Sequence, residues 1–329
     1  MTKDVISLDD IMDAAQRLRG LAVRTPLLDC SAADAVCGGK MLIKAEMLQR
    51  TGSFKFRGAY NRISRLTDDE RKKGVVAFSS GNHAQAVAAV SGIFGIAATI
   101  VMPADAPAMK IDATREYGAT VILYDRFTES REDIAAEIVA TQGATLVPPF
   151  DHPMIIAGQG TAGLEIAEDM MARGIVPDQV LVPCSGGGLI AGIATAITAH
   201  FPDCRVHAVE PSGFDDMARS LISGSRETAD PKARSICDAL LVPTPGELTF
   251  SINKNLLGKG LAVEDEAVRA AMVFAFRHLK LVAEPGGAIA LAAALSGSID
   301  CKNKTTVVVM SGGNVDPALF REILDQTSA

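Results

Sequence analysis

At 329 residues, with 48% apolar and 22% charged residues, the chain is long enough for two domains and for a large hydrophobic core. Its formal net charge of -7 offers no basic surface for nucleic acid or anionic membranes, and no window approaches 18 uninterrupted apolar residues, so neither partner is expected. The six cysteines form no CxxC pair, and Met1–Val5 lack the features of a signal peptide, so the sequence predicts a cytoplasmic protein without disulfides or a zinc ribbon.

The first predicted elements are a helix and two short extended segments. Apolar residues at helical spacing indicate a helix over Leu8–Gly20. Thr25–Leu28 and Met41–Glu46 read as extended chain. Ser53 is placed to cap a further helix that continues to Leu66.

A strand followed by a turn and a helix then occurs three times. The strands are predicted at Val75–Phe78, Ala97–Met102 and Thr120–Tyr124, and the helices at Ser79–Ala89, Ala108–Tyr117 and Thr128–Thr141. Strands that alternate with helices imply a parallel sheet with right-handed crossovers. We therefore predict a small α/β domain at residues 74–151.

Residues 1–73 and 152–329 are predicted to form a larger second domain. Its strands are expected at Gln179–Pro183, Val206–Glu210 and Thr305–Met310, and its helices at Gly163–Ala172, Leu189–His200 and Glu264–His278. In such sheets ligands bind at the carboxyl ends of the strands, so we expect the site in a cleft between the domains.

Lys55 has an unusual setting within Thr51–Gly58. It lies between Phe54 and Phe56, with no acidic residue within five positions on either side. A desolvated amine would have a lowered pKa and could attack a carbonyl, as Schiff-base lysines do. A lone lysine is more often a solvated surface charge, so the stretch gains meaning only from the motifs that follow it.

Three further motifs follow in order: Ser79–Gln85, Cys184–Leu189 and Met310–Asn314. In the second, Ser185–Gly188 lies between a predicted strand and a predicted helix, where backbone amides and the helix dipole can bind an anion. The chain has no GxGxxG spacing or Walker lysine there, which favours a phosphate group over a dinucleotide or ATP. A plain flexible turn is the alternative.

In this order and spacing the four motifs resemble the fold-type II pyridoxal-phosphate (PLP) enzymes, most closely the serine and threonine dehydratases and serine racemase. The resemblance runs from about Leu8 to Asp316. It implies two lobes, as in the tryptophan synthase β subunit, each a mainly parallel sheet flanked by helices. It also implies a homodimer, with PLP in the large domain. The implied cofactor-binding residues are Phe54, Lys55, Asn82, Ser185, Gly186, Gly187, Gly188, Leu189 and Ser311.

The resemblance also implies chemical roles. Lys55 would hold PLP and remove the α-proton of the substrate, while Ser311 would be a neutral partner of the pyridine nitrogen, which disfavours transamination. Ser80 would be an acid or base on the opposite face of the substrate. Many threonine dehydratases carry alanine there, so Ser80 keeps racemisation open, although it could merely cap a helix.

Substrate contacts are implied for Ser79, Asn82 and His83, which would receive the substrate carboxylate. Arg131 aligns with an arginine that can approach a second carboxylate in racemase-like relatives, so 3-hydroxyaspartate must be considered as a substrate. Because Glu129 and Glu132 lie on the same predicted helix, Arg131 could equally form surface ion pairs.

An acidic turn between Glu210 and Asp216 suggests a metal site. The two carboxylates are six residues apart across a Pro/Gly turn, which suits a hard divalent cation. The resemblance implies side-chain ligation by Glu210 and Asp216 and carbonyl ligation by Phe214. Mg²⁺, Ca²⁺ and Mn²⁺ are all compatible, and an acidic surface turn is the alternative.

These features predict a PLP-dependent ammonia-lyase that converts a small β-hydroxy amino acid, serine or threonine first, into a 2-oxo acid and ammonia. The alternatives are a 3-hydroxyaspartate dehydratase, an amino-acid racemase with side elimination, a PLP-dependent synthase and a metabolite-binding regulator. Asp238–Ala239 stands where the family commonly has Asp-Gly, and Val242 where racemases have serine. The pocket wall is therefore expected to be bulkier and less polar than in those relatives.

Overall fold

A computed structural model describes residues 6–326, so Met1–Val5, on which the signal-peptide prediction rests, lie outside the described residues. The helices are α1 Leu8–Leu18, α2 Ser31–Cys37, α3 Lys55–Ile63, α4 Asp68–Lys73, α5 Asn82–Phe94, α6 Ala108–Glu116, α7 Arg131–Gln142, α8 Pro153–Ala172, α9 Gly188–His200, α10 Asp216–Ser223, α11 Glu247–Leu256, α12 Asp265–Phe274, α13 Pro285–Leu295 and α14 Pro317–Gln326. The strands are β1 Leu27–Asp29, β2 Lys40–Ala45, β3 Val75–Phe78, β4 Ala98–Pro103, β5 Thr120–Tyr124, β6 Thr145–Leu146, β7 Gln179–Pro183, β8 Arg205–Pro211, β9 Leu257–Val263 and β10 Thr305–Met310.

The strands form two sheets, which confirms the predicted α/β class. The larger sheet has the order β1-β2-β10-β7-β8-β9, and only β1 runs antiparallel to its neighbour. The smaller sheet has the order β5-β4-β3-β6 and is parallel throughout. We call the smaller sheet with α5, α6 and α7 the small lobe, and the larger sheet with its helices the large lobe.

The large sheet is covered on both faces, which explains why its strands read as continuous apolar runs. Along β10, Val307 and Val309 pack in one apolar cluster with α8 and α9, while Val308 and Met310 pack in another with α12 and α13. This alternation follows from the two-residue period of a strand. Every one of these four side chains is fully buried.

The two lobes share an apolar cluster on one side. Phe56 and Tyr60 of α3 belong to the same cluster as Ala84 and Val87 of α5, and the two helices pack together. The helix that begins at Lys55 therefore lies directly beside the small lobe.

Several element boundaries differ from the predictions. Ser7 caps α1 through a capping box with Asp10, and the helix ends before Gly20. Ser53 caps nothing: its hydroxyl has no hydrogen-bond partner, and its backbone instead bridges to Gly312. The helix predicted from Gly163 begins at Pro153, because glycines in its first half allow close packing rather than ending the helix. Within residues 6–326, no helix combines the length and apolarity needed to span a bilayer.

Candidate active site

A cavity of about 310 Å³ opens between the lobes, where the carboxyl ends of β3, β7 and β10 meet. This volume is within the range of small-molecule sites. Every residue predicted for cofactor, substrate or catalysis lines it: Phe54, Lys55, Ser79, Ser80, Asn82, His83, Arg131, Ser185, Gly186, Gly187, Gly188, Leu189 and Ser311.

The turn between β7 and α9 offers backbone rather than side chains to this cavity. A Cβ on Gly186 or Gly188 would come within 2.5 or 2.9 Å of Phe150, and Gly187 has a φ of 91°. Positions 186 and 188 therefore need glycine because a side chain would clash, and Gly187 adopts a backbone conformation that glycine favours. The turn also begins α9, so the positive end of the helix dipole lies beside it.

The carbonyls of the same turn are held by α11. Thr249 Oγ1 donates to the Gly186 carbonyl at 2.6 Å, and Asn253 Nδ2 donates to the Gly187 carbonyl at 3.2 Å. Because both carbonyls bond to α11, the amides are the groups that remain to bind an anion. Thr249 and Asn253 were not predicted as site residues, since nothing in their local sequence connects them with this turn.

Lys55 presents its amine at the wall of the cavity. Its Nζ donates to the Pro149 carbonyl at 2.8 Å and lies 5.2 Å from the centre of the Phe54 ring. Burial lowers the pKa of Lys55 to about 8, although the charge of Glu284 acts in the opposite direction. The predicted desolvation of this amine thus has a structural cause, and a neutral amine is the nucleophilic form.

Asn82 begins α5 and has its amide fixed on both sides. Its Nδ2 donates to Glu284, and its Oδ1 accepts a hydrogen bond from Asn314 Nδ2 at 2.8 Å. Burial raises the pKa of Glu284 to about 7. Glu284 was missed because a single glutamate before an alanine-rich helix reads as a surface residue.

His83 is a neutral imidazole. Its Nε2 lies 2.9 Å from the Val147 carbonyl, so Nε2 carries the proton, while Nδ1 is buried without a partner. Burial and the neighbouring Lys55 lower the pKa of His83 to about 3. The ring therefore has no free N–H for a carboxylate, and only the backbone amide of His83 is suited to the predicted role.

Ser79 and Ser80 follow β3 directly. Ser79 Oγ accepts a hydrogen bond from the Gly81 amide at 3.2 Å, which holds the turn that leads into α5. Ser80 lines the cavity without being fully buried.

Arg131 both lines the cavity and forms an ion pair, the two alternatives that its sequence context left open. Its Nε donates to Glu132 at 2.8 Å, and its guanidinium stacks over Phe78, 5.1 Å from the ring centre. The side chain also lines the cavity and retains 35% of its surface exposed.

The predicted metal residues lie away from this cavity, at the junction of β8 and α10. Glu210 accepts hydrogen bonds from the amides of Met217 and Ala218 at 2.9 and 2.8 Å, whereas both carboxylate oxygens of Asp216 are buried without a partner. Burial raises the pKa of Asp216 to about 7, and burial together with Asp216 raises the pKa of Glu210. Within the described part of the chain no three His, Cys, Asp or Glu side chains form a metal cluster, so a cation here would also need carbonyl or water ligands.

Comparison with known proteins decides the family. A family model for pyridoxal-phosphate dependent enzymes matches residues 18–312. The chain belongs to this family. The enzyme is 43% identical to the L-threo-3-hydroxyaspartate ammonia-lyase of a Pseudomonas species over 97% of this chain and 98% of that protein. It is also 43% identical to the L-threonine ammonia-lyase of Thermotoga maritima, over 98% of this chain and 79% of that protein. Maize serine racemase has the same fold, with a TM-score of 0.91 at 38% identity and 98% coverage of both chains.

The residues of this enzyme fit PLP. The glycine turn suits the phosphate of PLP, because its carbonyls bond to α11 and its amides remain to bind an anion. The Lys55 amine, with its lowered pKa, suits the aldehyde of PLP. Both groups line one cavity together with the Ser311 hydroxyl. The fold and the family thus agree with what the sequence motifs predicted.

Proposed function

We propose that this enzyme is an ammonia-lyase that converts a small β-hydroxy amino acid into a 2-oxo acid and ammonia. The observation that carries the proposal is the Lys55 amine, with a pKa of about 8, in the same cavity as the Gly186–Gly188 turn. The two ammonia-lyases compared above support it, since each matches at least 97% of this chain.

The residues that line the cavity would have separate roles in binding the cofactor, moving the α-proton and binding the substrate. When bound, PLP supplies an aldehyde for amines and a conjugated ring that accepts electrons from the α-carbon. Lys55 would hold the cofactor and then take the α-proton, for which a pKa close to the working pH is suited. The amides of Ser185–Gly188 would bind the phosphate, and Phe54, Leu189 and Ser311 would complete the cofactor site. The Ser79–His83 turn would orient the substrate carboxylate.

Two observations favour other substrates or outcomes. Arg131 lines the cavity and could pair with a second carboxylate, which favours 3-hydroxyaspartate over serine or threonine. Ser80 lines the same cavity and could donate a proton to the α-carbon, which favours a racemase activity beside elimination. Serine racemases are among the relatives, such as that of Schizosaccharomyces pombe.

The experiment is a comparison of initial rates of 2-oxo acid release from serine, threonine and the diastereomers of 3-hydroxyaspartate. Lys55→Ala is the control and should release none. Preference for serine or threonine supports the proposal as stated. Preference for a hydroxyaspartate that is lost in Arg131→Gln would instead make 3-hydroxyaspartate the substrate, with Arg131 binding its second carboxylate. Inversion of serine without 2-oxo acid release would make the enzyme a racemase.

We further propose a divalent cation held by Glu210, Asp216 and the Phe214 carbonyl. The proposal is supported by two adjacent buried carboxylates, one of them without a hydrogen-bond partner. A cation that binds only the folded state raises its melting temperature. Mg²⁺, Ca²⁺ and Mn²⁺ should each be tested by thermal unfolding after chelation, and Asp216→Asn should abolish the increase. An increase that survives in the variant would place the cation elsewhere.

The cytoplasmic location, the homodimer and the division at residues 74–151 remain predictions from the sequence. The strands of the smaller sheet all lie within that range, which supports the division.

A further inference from the structure

A buried lysine of the small lobe reaches across the cavity to two carboxylates of the large lobe. Lys110 lies on α6, and its Nζ donates to Asp238 Oδ2 at 2.5 Å. The same Nζ lies 3.7 Å from Glu284 Oε2. Lys110 and Glu284 are 3% and 1% exposed, whereas Asp238 is partly exposed.

A second polar bridge lies beside the first. Asn82, also of the small lobe, donates to Glu284 and accepts from Asn314, and both partners belong to the large lobe. Glu284 therefore accepts a hydrogen bond from Asn82 on Oε1, while its Oε2 has no hydrogen-bond partner and meets Lys110 only through the charge at 3.7 Å. Its position immediately before α13 fixes it to the core of the large lobe.

The lysine also supports the turn that faces the substrate. A Cβ on Gly81 would come within 2.8 Å of Lys110 Cδ, so the lysine stem lies directly against that glycine. Gly81 connects Ser80 with Asn82. Displacement of the Lys110 side chain would thus remove packing from the residues predicted to receive the substrate carboxylate.

The two kinds of contact between the lobes respond differently to separation. The α3–α5 contact is apolar and therefore non-directional. The contacts of Lys110 and Asn82 depend on short distances and on exclusion of water, because hydration weakens a buried ion pair. The polar side is the one that borders the cavity.

We propose that Lys110 is a positioning residue, which holds α6 and the Ser79–Gln85 turn against Asp238 and Glu284 and thereby keeps the Asn82 amide oriented in the cavity. This role goes beyond the proposed ammonia-lyase activity, because it depends on contacts between the lobes and not on the identity of the substrate.

The test compares Lys110→Met with Arg115→Gln in the PLP-loaded enzyme. Methionine keeps an apolar stem and removes the charge, while Arg115 is a matched control on the same helix, in an exposed ion pair with Asp112. Backbone hydrogen exchange is measured for peptides over residues 79–85 and 108–116. We expect roughly tenfold faster exchange in Lys110→Met only, since an unpaired buried carboxylate destabilises the contact.

Steady-state kinetics provide the second readout. We expect the KM of Lys110→Met to rise by about tenfold or more, with a smaller change in kcat, because the residue positions substrate-binding groups without touching the reacting atoms. Lys110→Met/Glu284→Gln should recover part of the loss in hydrogen-exchange protection, because the double variant leaves no uncompensated charge on Glu284.

Equal exchange in Lys110→Met and Arg115→Gln would overturn the proposal. If Lys110→Met does not fold, Asp238→Asn removes the partly exposed partner and is judged by the same exchange criterion. Failure of the ammonia-lyase proposal would leave the exchange result intact, so the two proposals fail separately.

Discussion

At the scale of single residues, the chemistry depends on how much of the Lys55 amine is neutral. An ordinary lysine, with a pKa of about 10.4, is less than about 1% neutral at pH 8. Burial lowers the pKa of Lys55 to about 8, so about half of the amine is neutral at that pH. In the PLP-free protein, acetylation of Lys55 by acetic anhydride should therefore rise with pH and level off above about pH 8.

The measurement is mass spectrometry of the peptide that contains Lys55 after brief labelling between pH 6 and 10. Glu284→Gln is an informative variant, because the Glu284 charge raises the pKa of Lys55 and its removal should move the labelling curve to lower pH. A curve that still rises steeply at pH 10 would show that the amine is solvated like a surface lysine.

Some site residues could be predicted from the sequence and others could not. Lys55 could be predicted because Phe54, which precedes it in the sequence, also lies beside its amine, and because three further motifs follow it along the chain. Lys110 and Glu284 could not, because nothing in either local sequence indicates a partner that lies more than 100 residues away along the chain. His83 was predicted, but the loss of its ring as a donor follows from a contact with Val147, 64 residues along the chain.

At the scale of elements, buried strands and the glycine turn after β7 were predictable from local pattern, whereas the first half of α8 was not. Gly158 and Gly160 look like helix breakers in the sequence. In the fold, a Cβ on Gly158 would lie 2.7 Å from the Arg57 carbonyl, and one on Gly160 would lie 3.0 Å from the Gly192 carbonyl. These glycines allow helices to approach closely, and the reason is visible only once the helices are packed.

Gly192 gives a direct test of this packing. A Cβ there would lie 2.4 Å from the Ile156 carbonyl of α8, so α8 and α9 would have to separate. Gly192→Ala should lower the free energy of unfolding by about 1–3 kcal/mol, even though alanine is the better helix former. The measurement is urea unfolding followed by circular dichroism.

Gly92→Ala is the matched control, because Gly92 also lies within a helix and its nearest atom to a new Cβ is 3.6 Å away. That substitution should be neutral or stabilising by up to about 1 kcal/mol, as expected from helix propensity alone. Equal effects of the two substitutions would mean that α8 and α9 are not in close contact.

At the scale of the whole molecule, a buried ionic network joins segments that are far apart in the sequence. Arg57, two residues after Lys55, donates to Glu46 at 2.8 Å and to Glu165 at 2.7 Å. Lys44 donates to Glu165 from the other side at 2.5 Å. The network therefore connects α3 with β2 and α8, and holds the helix that carries Lys55 in the large lobe.

Removal of Arg57 should destabilise the whole molecule. Arg57 is 1% exposed and Glu46 fully buried, so Arg57→Met would leave a buried carboxylate without its cation, at a cost of about 3–5 kcal/mol in unfolding free energy. Arg24→Met is the control, because Arg24 forms an exposed pair with Glu168 and Asp169, which should contribute less than about 1 kcal/mol. Both values come from urea unfolding at pH 7.5.

The pH dependence distinguishes an electrostatic effect from a loss of packing. Burial raises the pKa of Glu46, but Arg57 outweighs it and holds that pKa below the ordinary value, so the contribution to wild-type stability is present at neutral pH and lost as the pH falls. In Arg57→Met the largest opposition to burial is gone, and only Lys44 and the Thr25 hydroxyl still lower the pKa of Glu46. We expect burial to outweigh these two, so that the folded state binds a proton and stability falls as the pH rises past about 4.3. The difference between wild type and variant should therefore be larger at pH 7.5 than at pH 4.5. A constant difference would mean that Arg57 contributes only the packing of its side chain, and that the charges of the network are already compensated by Lys44.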